Sequence, residues 1–332
     1  MRVRKVDPAN IDPAILVEAA NIIRAGGLVA FPTETVYGLG ADATNANAVA
    51  GIFTAKGRPS YNPLIVHVAD LEGASRCVTS WPEIAKTLAD HFWPGPLTLV
   101  LPKSQAIPDI VSAGLATVGV RMPKHPVALA LIDAAGVPLA APSANRSMQV
   151  SPTVGDHVAA SLGESADLIL DAGPVSVGIE STVLDLTSAV PTVLRPGMIS
   201  VDDLRLVIGR VEMASTHVPD GTARPSPGMM DRHYSPQATL IVSAEGSTEV
   251  TRVAERELSE RVRVVALARS PVSVPDLTVW PMPESAADYA RVLYGMLHRA
   301  DAEGYDVVIV ESVPATPAWD GVRDRLSRAA RR

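Results

Sequence analysis

Apolar positions along this chain follow two rhythms that alternate from one end towards the other. Short apolar runs at residues 28–32, 64–68, 97–101, 118–122 and 138–141 read as buried strands. Between them lie stretches with helical spacing. Residues 13–24 put Ile15, Leu16, Ala19, Ile22 and Ile23 on one helical face and stop at Gly26-Gly27, a C-cap pair. Helices are expected also at 46–55, 82–92, 126–134 and 201–208, and strands at 3–6, 168–171, 181–186 and 192–194. Residues 33–40, with Gly38 and Gly40, read as a turn after the second strand. The alternation predicts an α/β domain on a mixed sheet with flanking helices, over residues 1–210.

The rhythm stops over residues 211–238. Ser, Thr, Pro, Gly and Met dominate there, as in a linker, and residues 226–236 gather rigid and polar side chains. Strands at 239–242, 262–268 and 307–310, with helices at 248–259 and 286–302, predict a second, smaller α/β unit over 239–332 with a parallel, Rossmann-like sheet. Residues 288–298 read as an ordinary amphipathic helix. Arg323, Arg325, Arg328, Arg331 and Arg332 read as an exposed helix face with a frayed end.

Composition narrows the function classes. The 332 residues exceed what one core usually serves, and aromatics make up only 4%, so aliphatic cores are expected. One cysteine, Cys77, excludes an internal disulfide and a cysteine-clustered metal site, and reads as a buried, idle thiol. A net charge of −7 gives no global attraction to nucleic acid. The N-terminus lacks the apolar run of a secretory signal, and no run reaches the length of a membrane span, so a cytoplasmic protein with no membrane partner is expected.

The candidate chemistry sits at the ends of the expected strands. Lys56-Gly57-Arg58-Pro59 precedes the strand that carries Asn62 and His67. Prolines stiffen that loop, while a lysine and an arginine offer a point charge and a planar fork to phosphate oxygens. Arg121, Ser143, Asn145, Ser181 and Arg195 lie at other strand ends, where α/β proteins bind ligands. Each alone has a structural reading: a solvated loop, a cap, a salt bridge, a core histidine. The usual glycine-rich nucleotide fingerprints and hydrolase motifs are missing. A kit of cations and hydroxyls without an activated nucleophile suits nucleotidyl or phosphoryl transfer by positioning and charge neutralisation.

Six segments, in this order, carry a family resemblance: Phe31 to Leu39, Lys56 to His67, Trp93 to Thr98, Val120 to Pro123, Ala141 to Asn145, and Leu194 to Gly197. They resemble the YrdC-like domain of threonylcarbamoyl-AMP synthases, and residues 226–236 with the second unit resemble the long form of that enzyme. The resemblance implies a YrdC-like twisted mixed sheet plus a smaller Rossmann-like α/β domain. It implies condensation of L-threonine, bicarbonate and ATP to threonylcarbamoyl-AMP with release of pyrophosphate, for modification of the adenosine beside the anticodon of tRNA. Carried over residue by residue, it gives Lys56, Arg58, Ser143 and Asn145 as the catalytic signature. Arg58, Asn62, Thr117, Ser143, Ser151, Arg195 and Tyr234 would hold ATP. Thr35, His67, Arg121, Ala141 and Ser181 would hold threonine. Mg2+ would arrive on the ATP phosphates with no protein side-chain ligands, and the linker would act as a lid. Downstream threonylcarbamoyl-transfer enzymes and a weak tRNA contact are the implied partners. Two other readings remain at this stage: a carbamoyltransferase using carbamoyl phosphate, and an RNA-binding module.

Overall fold

A computed structural model describes residues 2–214, 233–244, 246–260 and 262–330. Most of the expected linker, including Met229 to Arg232 of the proposed lid, lies outside the described residues. The first sheet has eleven strands: β1 (Arg2–Lys5), β2 (Val29–Pro32), β3 (Tyr37–Asp42), β4 (Ile65–His67), β5 (Leu97–Pro102), β6 (Thr117–Arg121), β7 (Leu139–Ala140), β8 (Leu168–Asp171), β9 (Thr182–Asp185), β10 (Thr192–Arg195) and β11 (Glu212–Met213). Their spatial order is β1-β8-β2-β3-β7-β4-β6-β5-β9-β10-β11, with parallel and antiparallel neighbours. The second sheet, β12 (Thr239–Val242), β13 (Val264–Ala268), β14 (Thr278–Pro281) and β15 (Val307–Val310), is parallel throughout in the order β12-β15-β13-β14. Both sheets agree with the mixed and parallel sheets read from the sequence.

Local chemistry sets the helix limits. Asp12 caps the helix Pro13–Arg24 through the Ala14 amide, with proline in the first turn. Asn45 caps Ala46–Lys56, which ends at Gly57 in the left-handed conformation, φ 59°. Ser200 and Asp203 form a capping box on Val201–Ile208. The strand β3 corrects the turn expected at 33–40. Its glycines suggested a turn but serve packing, since a Cβ on Gly40 would come within 2.7 Å of the Phe31 ring. Helices at Leu71–Cys77, Asp109–Ser112 and Gly155–Leu162, and the strands β11 and β14, also went unread, whereas the helix expected at the tail is Asp320–Ala329.

The expected aliphatic core holds around much of the first sheet. A further cluster holds six aromatics, as many as the two clusters of the first sheet together. It joins Val36, Val150 and Ile179 of the first unit to Tyr234, Tyr289, Tyr294 and Trp319. The second unit therefore seats on the first through an aromatic core. Cys77 is buried as expected, and burial pushes its thiol up to about 11.

Candidate active site

Parallel pairing of β4 with β6 places His67 opposite Arg121 at the same strand ends. Alternation then puts Ile65 and His67 on one face of the sheet, with Gly119 and Arg121 beside them. The turn between β2 and β3 brings up Thr33, Glu34 and Thr35. Thr33 holds it shut: its hydroxyl donates to the Val36 carbonyl at 2.6 Å and accepts from the amides of Thr35 and Val36 at 3.2 Å. Behind β7, Ala141 donates its amide to the Ile65 carbonyl at 3.0 Å, and Ser143 bridges Gly38. The antiparallel pair β9 and β10 contributes Ser181 and Arg195.

These pieces line one pocket. Its wall includes Thr35, Arg58, His67, Arg121, Ala141, Ser143, Glu180, Ser181, Arg195, His233 and Tyr234. At the sheet side, Arg121 donates to the Thr35 hydroxyl at 3.0 Å and to the Gly95 carbonyl at 3.2 Å. Its Nη2 lies 2.7 Å from Glu34, with both side chains about 95% buried (4% and 5% exposed). A buried guanidinium is costly without an anion, and Glu34 supplies one from behind the wall. His67 beside it is neutral, because burial and then the Arg121 charge push its imidazole down to about 3. Its Nδ1 has no hydrogen-bond partner among the described residues, although it is buried.

The opposite side is cationic. Arg58 donates Nε to the Asn62 carbonyl at 3.1 Å and Nη2 to the Pro63 carbonyl at 2.8 Å, which fixes its fork. Burial, with some help from the Arg195 charge, pushes Arg58 down to about 10, which still leaves it protonated at neutral pH. Arg195 reaches the Ser181 carbonyl through Nε at 3.1 Å and through Nη2 at 3.0 Å. Its Nη2 also donates to the Ser181 hydroxyl at 3.1 Å. Tyr234 enters from the end of the linker with φ 60°, and its buried hydroxyl has no partner among the described residues. Burial raises its pKa, so it faces the pocket as a neutral phenol. Orphaned polar atoms at His67 and Tyr234 mark places where a ligand would complete the bonding.

Five expected residues stand outside the pocket lining. Lys56 is 2% exposed and donates its ammonium to the carbonyls of Ser143, at 2.5 Å, and of Asn145. It thus ties the 143–145 loop to the helix Ala46–Lys56. Asn145 donates to the carbonyls of Arg146 and Gln149 and shapes the same loop. Ser151 donates to Glu180 at 2.5 Å. Thr117 starts β6 while Arg121 ends it, so about 13 Å of strand separates them. Thr117 lines a smaller cavity that shares Pro63, Leu64 and Ile65 with the main pocket. Asn62 is fully buried beneath Arg58, which its carbonyl holds. Among the described residues, no group of three or more His, Cys, Asp or Glu side chains converges as a metal site.

The contributors outside the expected set include Glu34, Glu180, His233, Tyr294 and Arg325. The arginine-rich tail is where the structure departs furthest from expectation. Arg325 and Arg328 are 1% and 7% exposed, while Arg323 alone among the described tail arginines keeps 40% of its side chain exposed. A signal was present, because Val322, Leu326 and Ala329 form a helical apolar stripe and Arg325 stands inside it. Tyr294 sits likewise among Ala290, Leu293 and Leu297 on its own helix.

Three arginines, hydroxyls and a neutral histidine on strand ends, closed by a second unit, define a two-unit α/β protein built to handle anions. Comparison with known proteins agrees and narrows the class. Residues 21–197 match the Sua5/YciO/YrdC family model, described as telomere recombination, and residues 199–331 match the threonylcarbamoyl-AMP synthase C-terminal domain. The chain belongs to this family of threonylcarbamoyl-AMP synthases, in its two-domain form. A threonylcarbamoyl-AMP synthase of Pyrococcus abyssi is 44% identical over 94% of this chain and 93% of its own length. That of Bacillus subtilis is 43% identical over 96% of this chain and 93% of its own. A crystal structure of P. abyssi Sua5 complexed with L-threonine matches with a TM-score of 0.94 and 40% identity, covering 99% of this chain and 98% of that one. The fold read from the motifs is the fold found.

Proposed function

We infer that this chain is a threonylcarbamoyl-AMP synthase, an enzyme that condenses L-threonine, bicarbonate and ATP and releases pyrophosphate. The observation that carries this reading is convergence. All five residues expected around threonine, and Arg58, Ser143, Arg195 and Tyr234 of those expected around ATP, line a single pocket.

The chemistry follows from that arrangement. The threonine amine captures bicarbonate with loss of water, or CO2 with loss of a proton, as a carbamate, and a carbamate oxygen attacks the α-phosphorus of ATP as pyrophosphate leaves. Carbamate and triphosphate are both anionic and repel each other. Arg58 and Arg195 offset that repulsion in a low-dielectric site, and Mg2+ enters on the triphosphate as part of the substrate. Arg121, held by Glu34, Thr35 and Gly95, presents its guanidinium to the threonine carboxylate. His67, neutral and with an unpaired ring nitrogen, meets the threonine hydroxyl; a site built to bond that hydroxyl rejects an analogue lacking it. Lys56 acts one step back, fixing the loop that carries Ser143. Tyr234, entering where the linker ends, closes over the reacting groups and excludes water from the mixed anhydride. The product supplies the threonylcarbamoyl group for the adenosine beside the anticodon of tRNA, through separate transfer enzymes.

Carbon-13 bicarbonate tests this reading directly. Incubation with ATP and threonine should give an adenylate whose mass carries one labelled carbon, detected by mass spectrometry. Label in no nucleotide product, with ATP consumed only when carbamoyl phosphate is supplied, would move the assignment to a carbamoyltransferase.

A further inference from the structure

The pocket contains an anion in an awkward place. Glu180 lines the same wall as Arg58 and Arg195, where a bare carboxylate would repel both substrates. Its charge is instead turned away and bonded. Oε1 accepts from Ser151 at 2.5 Å, while Oε2 accepts from Tyr294 at 3.1 Å and from Arg325 Nε at 2.7 Å. Tyr294 and Arg325 both come from the second unit, on the helices Ala286–Ala302 and Asp320–Ala329.

Arg325 does more than balance a charge. It stands behind the wall, with its side chain 0% exposed, and its fork reaches two separate segments of the first unit. Nη2 donates to the Glu180 carbonyl at 3.2 Å and Nη1 to the Pro196 carbonyl at 2.8 Å. Glu180 immediately precedes Ser181, and Pro196 immediately follows Arg195. One guanidinium therefore spans the two backbones that deliver Ser181 and Arg195 to the pocket. Glycines allow the close approach. A Cβ on Gly197 would lie 2.8 Å from the Glu180 carbonyl, one on Gly321 would lie 2.7 Å from the Gly197 carbonyl, and one on Gly178 would lie 2.3 Å from the Ala290 carbonyl. The second unit is thus pressed onto the first at two of these places, Gly321 against Gly197 and Gly178 against Ala290, where a larger residue would hold it off, while Gly197 lets the two wall segments close on each other.

We propose that Arg325 is a positioning residue for the synthase reaction, by which the second unit sets the spacing of Ser181 and Arg195 and masks the charge of Glu180. The proposal rests on the functional reading above and adds a role for the second unit: it finishes the active site from behind. A misplacement of about 1 Å behind a reacting centre costs on the order of 100-fold in rate.

The test uses the full chain with Arg325→Ala and Arg325→Lys, each compared with wild type for threonine- and bicarbonate-dependent pyrophosphate release per folded molecule, with folding followed by circular dichroism. Arg325→Ala should lose about 100-fold in kcat and regain several-fold when free guanidinium is added, because the ion fills the vacated fork. Arg325→Lys keeps the buried charge but cannot span both carbonyls, and should lose about tenfold in kcat. If Arg325→Ala fails to fold, the lysine variant decides. A folded variant with wild-type kcat, or a loss that guanidinium leaves untouched and that follows unfolding alone, would overturn the proposal. Wild type without threonine-dependent release would instead sink the functional reading, so the two failures are separable.

Discussion

Two buried arginine–glutamate pairs flank the pocket, and they are built with opposite polarity. In the pair Arg121–Glu34, the arginine lines the pocket and the glutamate lies outside its lining. In the pair Arg325–Glu180, the glutamate lines the pocket and the arginine stands behind. The first pair is made entirely within the first unit, close to the strand ends. The second joins residues 145 positions apart across the junction of the two units. The difference separates two tasks. A cation facing a ligand needs an anion to hold it ready, whereas an anion in an anion-binding pocket needs its lone pairs occupied. Burial makes the pairing matter in both, since removing either arginine takes a cation from a buried carboxylate; Arg325 itself has a second partner in Asp324 at 2.8 Å.

The comparison breaks most severely at Arg121. Arg121→Ala should raise the threonine KM at least about 100-fold, since charge-assisted bonds to a carboxylate are each worth about 1.5–3 kcal/mol. It should also cost about 3–5 kcal/mol of stability by leaving Glu34 buried and unpaired. Initial-rate kinetics and urea unfolding check the two halves, and an unchanged threonine KM would remove Arg121 from the carboxylate site.

Glu180→Gln probes the other pair and carries a pH signature. Burial alone would raise this carboxyl, but Arg325, Arg195 and Ser151 overcome it and hold it at about 2, against 4.5 for an ordinary glutamate. A group depressed in the folded state stabilises the fold above its unfolded pKa and loses that contribution as pH falls through the folded value. The shift corresponds to about 3 kcal/mol above pH 4.5. Glu180→Gln should therefore unfold about 3 kcal/mol more easily than wild type at pH 7, with the gap narrowing by about 1 kcal/mol at pH 3.5. A gap that ignores pH would show that the charge of Glu180 contributes nothing. The smallest effect belongs to Thr117, at the far end of β6 from Arg121. Thr117→Val should change the ATP KM by less than about twofold, because its hydroxyl lies along the sheet from the pocket; a tenfold rise would place the nucleotide in the adjoining cavity.

Much of the first unit was legible in the sequence, for physical reasons. Strand ends with Arg121, His67, Ser181 and Arg195 announce themselves as polar residues interrupting apolar runs, and loops such as Lys56 to Pro59 carry their chemistry locally. The helices 13–24, 201–208 and 286–302 were readable to the residue from caps and periodicity. What was missed involves partners distant in the chain. Gly38 and Gly40 signal a turn until Phe31 is known to cross them, and Lys56 resembles a phosphate ligand until the Ser143 and Asn145 carbonyls come within its reach. Arg325 looked like surface because an arginine cluster usually is surface. Its place inside an apolar stripe, at the spacing of Val322, Leu326 and Ala329, was the one local clue that it is buried.

The decisive measurement is pyrophosphate release from ATP by the full chain, with threonine, serine, valine or no amino acid, and with or without bicarbonate. Release should require bicarbonate, be fastest with threonine, and fall steeply with valine, which lacks the hydroxyl proposed to meet His67. Release at equal rates with valine, or without bicarbonate, would contradict the synthase reading.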